Sequence, residues 1–256
     1  GKKLVVSDLA NIEGRVLAWL AGEQWKLEAF KRYDTFELNP NGERIPDGKG
    51  SFLRAGPDQY KLAYSKSFNV SIEEVTEELR QIGKVEELML GYEGGVGAFL
   101  TGSATYGFDI EAMALAVYDT LENWAITEAG GYYKFCLKKG RTTYGLSEIA
   151  FVSCDAIKRQ WRAANSKITQ FWPDLKEQVT MAIQNPGTTF KLRNLMFRRD
   201  GAWLRIGLPS GRALCYPAPQ VADDGQLSYM GINQYSRKWC RLKTYGGKLA
   251  ENITQA

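Results

Sequence analysis

The chain has 256 residues, with 33 Lys and Arg against 29 Asp and Glu for a net charge of +4, and it contains no histidine. Histidine is thereby excluded as base, nucleophile or metal ligand, and 44% hydrophobic with 24% charged residues excludes disordered and collagenous chains. Apolar runs such as residues 17–21 and 88–90 fall far short of the roughly 18 that cross a bilayer, so a soluble protein is expected.

Residues 4–8 form a short apolar run that closes on Asp8, and Asn11 stands where an N-cap opens a helix over 12–20. The unit reads as strand, turn, helix. A second helical stretch, 24–33, gives way to an exposed insertion rich in Asn, Pro and Gly (Asn39-Pro40-Asn41-Gly42 and Pro46-Asp47-Gly48). Helices resume over 58–68 and, from an N-cap at Ser71, through Tyr92, as one helix or two. Gly94, Gly95 and Gly97 then break the pattern. Helical periodicity returns at 109–124, 146–164 and 166–183, and Asn185-Pro186-Gly187 is a stop.

From Thr188 onward the texture is that of short β-rich runs, 189–192, 202–206 and 213–216, separated by Asp200-Gly201 and Pro209-Ser210-Gly211 as hairpin turns. Residues 246–256 read as the first turns of a further helix. Cys136, Cys154, Cys215 and Cys240 are sparse and make no CxxC pair, which favours reduced thiols in a cytosolic compartment.

Charge is unevenly spread. Residues 190–248 hold eleven basic and three acidic side chains, a net of +8, so the remainder carries −4. Trp203, Tyr216, Tyr229, Tyr235, Trp239 and Tyr245 are interleaved with those cations. Such a segment suits a polyanion whose phosphates need cations and whose bases accept flat apolar contacts; an antiparallel sheet with solvated basic outer faces has the same composition.

Three features could carry chemistry. Arg80, Lys84, Leu88 and Tyr92 recur every four residues, drift only about 40° per step and form one stripe, which could hold a triphosphate at its cationic end and a sugar and base at the other. A helix with solvated cations and a core Leu and Tyr has the same spacing. The helix start is expected more than a turn ahead of Arg80, which gives its dipole little part. Asp8, at a strand end beside exposed turn carbonyls, could hold a divalent ion, or could be a turn or N-cap Asp. Gly94-Gly95-Val96-Gly97 lacks the GxxxxGK[ST] pattern and reads as a helix break or hinge.

Taken in order, these pieces resemble the polymerase I-type (family A) DNA polymerases, especially bacteriophage members. Val5-Val6-Ser7-Asp8-Leu9-Ala10-Asn11-Ile12-Glu13-Gly14-Arg15 is similar to their motif A, and Arg80-x3-Lys84-x7-Tyr92 is similar to motif B on the fingers helix. Gly91-Tyr92-Glu93-Gly94-Gly95-Val96-Gly97-Ala98-Phe99, Trp161-Arg162-Ala163-Ala164-Asn165, Phe171-Trp172 and Leu208-Pro209-Ser210-Gly211-Arg212-Ala213-Leu214-Cys215-Tyr216-Pro217 extend the likeness over 5–255.

The resemblance implies a role for each matching residue. Asp8 is the carboxylate that binds two Mg2+ ions, and Leu9 lends its carbonyl to one of them. Glu13 is the steric gate against a ribose 2′-hydroxyl. Arg80 and Lys84 grip the incoming dNTP, with Lys84 also a proton donor to the leaving pyrophosphate. Leu88 lies on the nucleotide-binding face, and Tyr92 stacks near the templating position. Arg212 contacts the primer, and Asn252 and Gln255 touch the primer-template duplex. Leu88 stands where many members have Phe or Tyr, and Tyr60 where bacterial members have a phosphate-contacting His. The family's motif C, a His-Asp-Glu turn with the second metal-binding aspartate, has no counterpart in these residues. A second polypeptide or further segment is therefore expected to supply it, with this chain alone inactive.

The expected architecture is α+β and helix-rich: the palm-and-fingers portion of a right-hand polymerase, with a palm strand and helix at 1–20, helical fingers at 21–187, and a palm return with β-hairpins at 188–256. The expected activity is template-directed DNA synthesis by two-metal nucleotidyl transfer, in a bacterial host's cytoplasm if phage-encoded. The alternative is a non-catalytic DNA-binding or assembly module derived from such an enzyme.

Overall fold

The computed structural model describes residues 9–48 and 50–256. The strand expected at 4–8, and with it Asp8, lies outside the described residues. Helix α1 spans Ile12–Ala21. Asn11 occupies its N-cap position but adopts a left-handed conformation (φ 52°) and makes no side-chain cap bond. A Cβ on Gly14 would fall 2.4 Å from the Asn11 Oδ1, so glycine is what lets the Asn11 amide fold over the first turn. Gly22, at φ 69°, closes the helix.

Helix α2, Gln24–Asp34, is followed by the Asn/Pro/Gly-rich stretch, which is folded rather than loose. Bridges Phe36–Arg54, Leu38–Arg44 and Pro46–Phe52 make it a miniature antiparallel meander, with the Arg44 and Arg54 guanidiniums each 4.2 Å from the Phe36 ring. Helix α3, Gln59–Phe68, is capped by Asp58, whose Oδ1 accepts from the Tyr60 and Lys61 amides. The stretch from Ser71 to Tyr92 resolves into a 3-10 turn under a Ser71/Glu74 capping box, helix α4 (Glu77–Met89) capped by Thr76, and a second 3-10 turn, Leu90–Tyr92.

Helices α5 (Val96–Tyr106), α6 (Ile110–Val117), α7 (Asn123–Lys138), α8 (Glu148–Ala164) and α9 (Ser166–Gln184) follow. The helix expected over 109–124 is two helices: the chain turns at Tyr118–Thr120 and drives Leu121 into the core before α7 begins. Helix α5 is absent from the sequence reading because Gly94, Gly95 and Gly97 look like a break, and the run expected over 109–124 reaches only the first two residues of α7. In α5, Gly102 instead faces Val85 of α4, where a Cβ would stand 3.1 Å from the Val85 side chain.

The β-rich part forms two antiparallel sheets. In the first, the order is β1 (Thr189–Leu192), β2 (Leu195–Asp200), β3 (Trp203–Gly207) and β4 (Ala213–Pro217). In the second it is β5 (Gln220–Val221), β6 (Leu227–Ile232) and β7 (Trp239–Thr244). Strands β1, β3 and β4 match the expected runs to within a residue; β2, β5, β6 and β7 are additional. Leu195, Phe197, Leu204, Ile206 and Tyr216 are buried, and α9 packs along β1 and β2. Helix α10, Gly246–Gln255, lies on α9 and α1, and one hydrophobic cluster extends from Leu17 of α1 to Ile253 of α10. Three helices are pinned internally by a buried ion pair: Lys26 Nζ of α2 lies 2.6 Å from both oxygens of Glu87 on α4, and the Trp161 indole of α8 donates to Glu87 Oε1 at 3.3 Å.

The chain is thus α+β and helix-rich, with antiparallel hairpins toward its C-terminal end. Among the described residues no helix is long and apolar enough to cross a membrane, and the four cysteines are unpaired.

Candidate functional site

Helix α4 separates into two faces. Ile82, Gly83, Val85, Glu86 and Glu87 are buried, whereas Arg80, Lys84, Leu88 and Tyr92 are half-buried along the other side. The stripe inferred from spacing therefore exists, although its last member sits on the 3-10 turn. The helix begins at Glu77, so Arg80 lies within a turn of the N-terminus, closer than the sequence reading expects. Thr76 ends the preceding 3-10 turn's exit and caps α4, which a continuous helical pattern from Ser71 conceals.

The two cations of the stripe are held differently. The Arg80 guanidinium forks onto Asp58 (Nε–Oδ1 3.1 Å, Nη2–Oδ2 3.0 Å), reaches Glu77 at 3.2 Å and lies 5.1 Å from the Tyr60 ring. Hydrogen bonding to Asp58 holds its pKa above the usual arginine value. Tyr60 is brought to this point because α3 and α4 touch at Gly83, where a Cβ would stand 2.0 Å from the Tyr60 carbonyl oxygen. The Lys84 ammonium lies 4.3 Å over the Tyr106 ring and has no carboxylate partner among the described residues. Arg80 is a compensated cation, Lys84 an uncompensated one.

At the other end of the stripe three expected residues meet. Glu13, in the first turn of α1, accepts from the Tyr92 hydroxyl at 3.5 Å through Oε2 and from Gln255 Nε2 at 3.3 Å through Oε1. Burial first, and the Glu13 charge second, push the Tyr92 phenol well above its ordinary pKa, so it stays a hydrogen-bond donor. From Gln255 a groove of about 340 Å³ continues between β4, β6 and the end of α10, lined by Leu214, Tyr216, Tyr229 and Asn252 among others. Asn252 donates to the Tyr216 hydroxyl at 3.0 Å, and burial raises that phenol to about 12. Arg212 is exposed and bonds the Ala256 carbonyl at the groove's end.

The residues that hold the Tyr92 segment include two glycines the sequence reading did not single out and two side chains from motifs it quoted. Gly247 donates its amide to Glu93 Oε2 at 2.9 Å, and a Cβ there would lie 2.3 Å from the Tyr92 carbonyl oxygen. A Cβ on Gly246 would lie 2.1 Å from the Trp172 carbonyl oxygen. The only signal was the Gly-Gly dipeptide ahead of a helix. Trp172 donates its indole to the Gly91 carbonyl at 3.0 Å, and Arg162 reaches the carbonyls of Glu93 and Gly94 at 3.3 and 3.1 Å. Two of the tryptophan and arginine motifs thereby act as clamps on the end of α4.

Of the metal-ligating candidates, Asp8 lies outside the described residues. Leu9 is exposed, and its carbonyl accepts from the Ile12 amide at 3.3 Å, which uses one of the oxygen's two lone pairs. In sequence Asp8 adjoins this carbonyl, and carboxylate and carbonyl oxygens are the donor chemistry that suits a hard divalent cation. Among the described residues no three His, Cys, Asp or Glu side chains converge as a metal cluster.

Along its whole length the chain is 32% identical, over 263 aligned positions, to the DNA polymerase of Bacillus phage SP02. It spans about 31% of that polymerase. No family model matches the chain, and no solved structure does.

Proposed function

We propose that this chain provides the nucleotide site and part of the primer-template site of a polymerase I-type DNA polymerase. The observation that carries the reading is the convergence of Glu13, Tyr92 and Gln255 at one end of a stripe whose other end holds the uncompensated Lys84, in a chain related throughout to a phage DNA polymerase.

In this reading the incoming dNTP lies along α4. Lys84 pairs with the triphosphate and gives a proton to the leaving pyrophosphate, while Arg80 exchanges its bonds to Asp58 for phosphate oxygens. Leu88 supplies apolar contact, and Glu13, held by Tyr92 and Gln255, closes the space beside the sugar 2′-carbon. Tyr92 stacks near the templating base. Tyr60, next to Arg80, touches nucleic-acid phosphate. Asn252, Gln255 and Arg212 border the groove that takes the primer-template duplex.

Asp8 and Leu9 would hold Mg2+, which when bound lowers the pKa of the primer 3′-hydroxyl and neutralises charge developing on the phosphates. The remaining carboxylates come from a segment or polypeptide bearing motif C. The division into palm at 1–20, fingers at 21–187 and palm return at 188–256 belongs to the same proposal, as does work in a host cytoplasm.

Sugar selectivity tests it. In the polymerase that contains this stretch, Glu13→Ala should raise ribonucleotide incorporation relative to dNTP by roughly ten- to two-hundredfold, the range one steric element of a pocket provides. Unchanged selectivity, with extension intact, would overturn the assignment.

A further inference from the structure

The β6–β7 ribbon projects beyond its sheet. Strand β5 pairs only with Leu227 and Ser228, so from Tyr229 onward β6 has β7 as its one strand partner. The register sorts the side chains onto two faces. Tyr229 meets the Tyr216 ring edge-on at 4.8 Å, which roots one face beside the groove that also contains Asn252 and Gln255. The opposite face carries the cross-strand pairs Ile232–Trp239, Met230–Arg241 and Ser228–Lys243. Ile232 is 61% exposed and Trp239 59%, and Tyr235 in the connecting loop reaches 87%.

The loop is ordered in spite of that exposure. Asn233 Oδ1 accepts from the amides of Tyr235 and Ser236 at 3.0 and 2.9 Å, and Asn233 exchanges backbone bonds with Arg237 and Lys238. Large aromatics presented to water on a hydrogen-bonded backbone gain little for the folded chain, whereas a ligand that covers them finds the backbone that carries them already arranged. The charge is one-sided: residues 226–248 include Arg237, Lys238, Arg241, Lys243 and Lys248 and no acidic residue. Arg237, Lys238 and Lys243 form no ion pair among the described residues.

We propose that this ribbon is a platform for an unpaired nucleic-acid strand, with Trp239 and Tyr235 stacking on bases and Arg237, Lys238 and Lys243 neutralising phosphates. Cations alone would suit any polyanion. Exposed rings select a strand with free base faces, because in a duplex those faces are already stacked on each other. The ribbon's root beside the groove puts this platform next to the proposed primer-template site. The inference extends the DNA-binding part of that reading and stands apart from nucleotidyl transfer.

Fluorescence anisotropy of labelled dT20 with the 256-residue chain tests it, since the assay contains no dNTP and reads the ribbon even if the polymerase reading fails in primer extension. Trp239→Ala and Tyr235→Ala should each weaken dT20 binding by roughly tenfold or more, the usual loss of one base stack, while Trp239→Phe retains most of the affinity. Lys238→Ala should flatten the salt dependence by about 0.7 in log–log slope, one phosphate contact on a single strand. Affinity for a blunt duplex should stay nearly constant across the aromatic variants. Unchanged dT20 binding in both alanine variants, an equal loss on duplex, or capture of the ribbon by anionic phospholipid vesicles in preference to dT20 would overturn the proposal. Retained thermal unfolding in Tyr235→Ala, whose side chain leaves no core, excludes misfolding as the cause.

Discussion

The Tyr92 hydroxyl donates to Glu13 Oε2 across 79 positions of sequence, at 3.5 Å. That length is at the outer limit of a hydrogen bond, so the contact orients the carboxylate more than it stabilises the fold. Orientation comes from the second oxygen as well, which Gln255 occupies from α10. The end of the α4 segment and the end of α10 thus jointly decide where the Glu13 carboxylate points.

A double-mutant cycle measures that contact. Tyr92→Phe and Glu13→Gln should each cost no more than about 1.5 kcal/mol in urea unfolding, with a coupling below about 1 kcal/mol, as befits a long bond. A coupling several times larger would mean that the pair is shorter in solution.

Lys84 and Arg80 should respond differently to alanine. If the proposed nucleotide role holds, Lys84→Ala in an active polymerase containing these residues should lower kcat/KM for dNTP by roughly two to three orders of magnitude while leaving primer-template affinity nearly unchanged, because charge builds on pyrophosphate in the transition state. Its loss should hardly change stability. Arg80→Ala also breaks the pair with Asp58, so its thermal midpoint should fall as well, by an amount matching about 1 kcal/mol for a partly exposed pair. A solvated, non-functional Lys84 would give less than about a tenfold kinetic effect.

Stability should fall as pH rises above the usual carboxylate range, through Glu86. This side chain is fully buried on α4, and burial pushes its pKa well above the ordinary 4.5, with the Glu87 charge adding to the rise and Ser67 and Lys26 opposing it. The folded state therefore keeps a proton that the unfolded state has released. Its contribution is complete below about pH 4.5 and is lost as pH climbs toward the folded pKa, with a slope of up to about 1.4 kcal/mol per pH unit. Glu86→Gln mimics the neutral acid and should flatten urea stability between pH 5 and about 8 and raise it at the upper end. A wild-type slope in that variant would show that the proton resides elsewhere.

Under the proposed function, Gly247→Ala should damage nucleotide binding through the backbone. Its Cβ would stand 2.3 Å from the Tyr92 carbonyl oxygen and 2.4 Å from the Glu93 Cβ, neither of which is a flexible side-chain end. An overpacked contact of this kind costs about 1–3 kcal/mol and displaces what it touches. The expected result is a lower melting temperature with a raised KM for dNTP, whereas Gly107→Ala, with nothing within 4 Å of the added carbon but φ 72°, should affect stability alone.

Side-chain caps made some starts legible: Asp58 caps α3 at the head of the run expected over 58–68, and Ser71 caps the backbone as expected, though of a 3-10 turn, while the Thr76 cap that opens α4 stays concealed. Asn11 does not, because its amide is folded over Gly14 instead of onto the helix amides. Helix α5 is hidden by Gly94, Gly95 and Gly97 ahead of and within its first turn, and by Gly102, which permits close approach to Val85 of α4 yet looks in one dimension like a glycine that ends a helix; Gly130 and Gly131 inside α7 face open space and weaken its pattern without any packing role. Strands β6 and β7 were hidden because Ile232 and Trp239 are apolar and exposed, which spoils the alternation that marks a half-buried strand. At the site, the four-residue spacing revealed the stripe, but not that Asp58 neutralises one of its cations. Nor could spacing reveal Gly246 and Gly247, whose part depends on backbones remote in sequence meeting at 2–3 Å from an absent carbon.

The buried bond from Lys26 to Glu87 has a mechanical consequence for α4. Neither side chain is more than 5% exposed, and removing one partner of such a pair costs about 3–5 kcal/mol. If α4 rolled about its axis or slid along it, Glu87 would have to leave both Lys26 and the Trp161 indole. Any displacement that re-aims Lys84 toward or away from a substrate must therefore carry α2 and α8 along as one stiff block, with compliance confined to the connections outside those three helices.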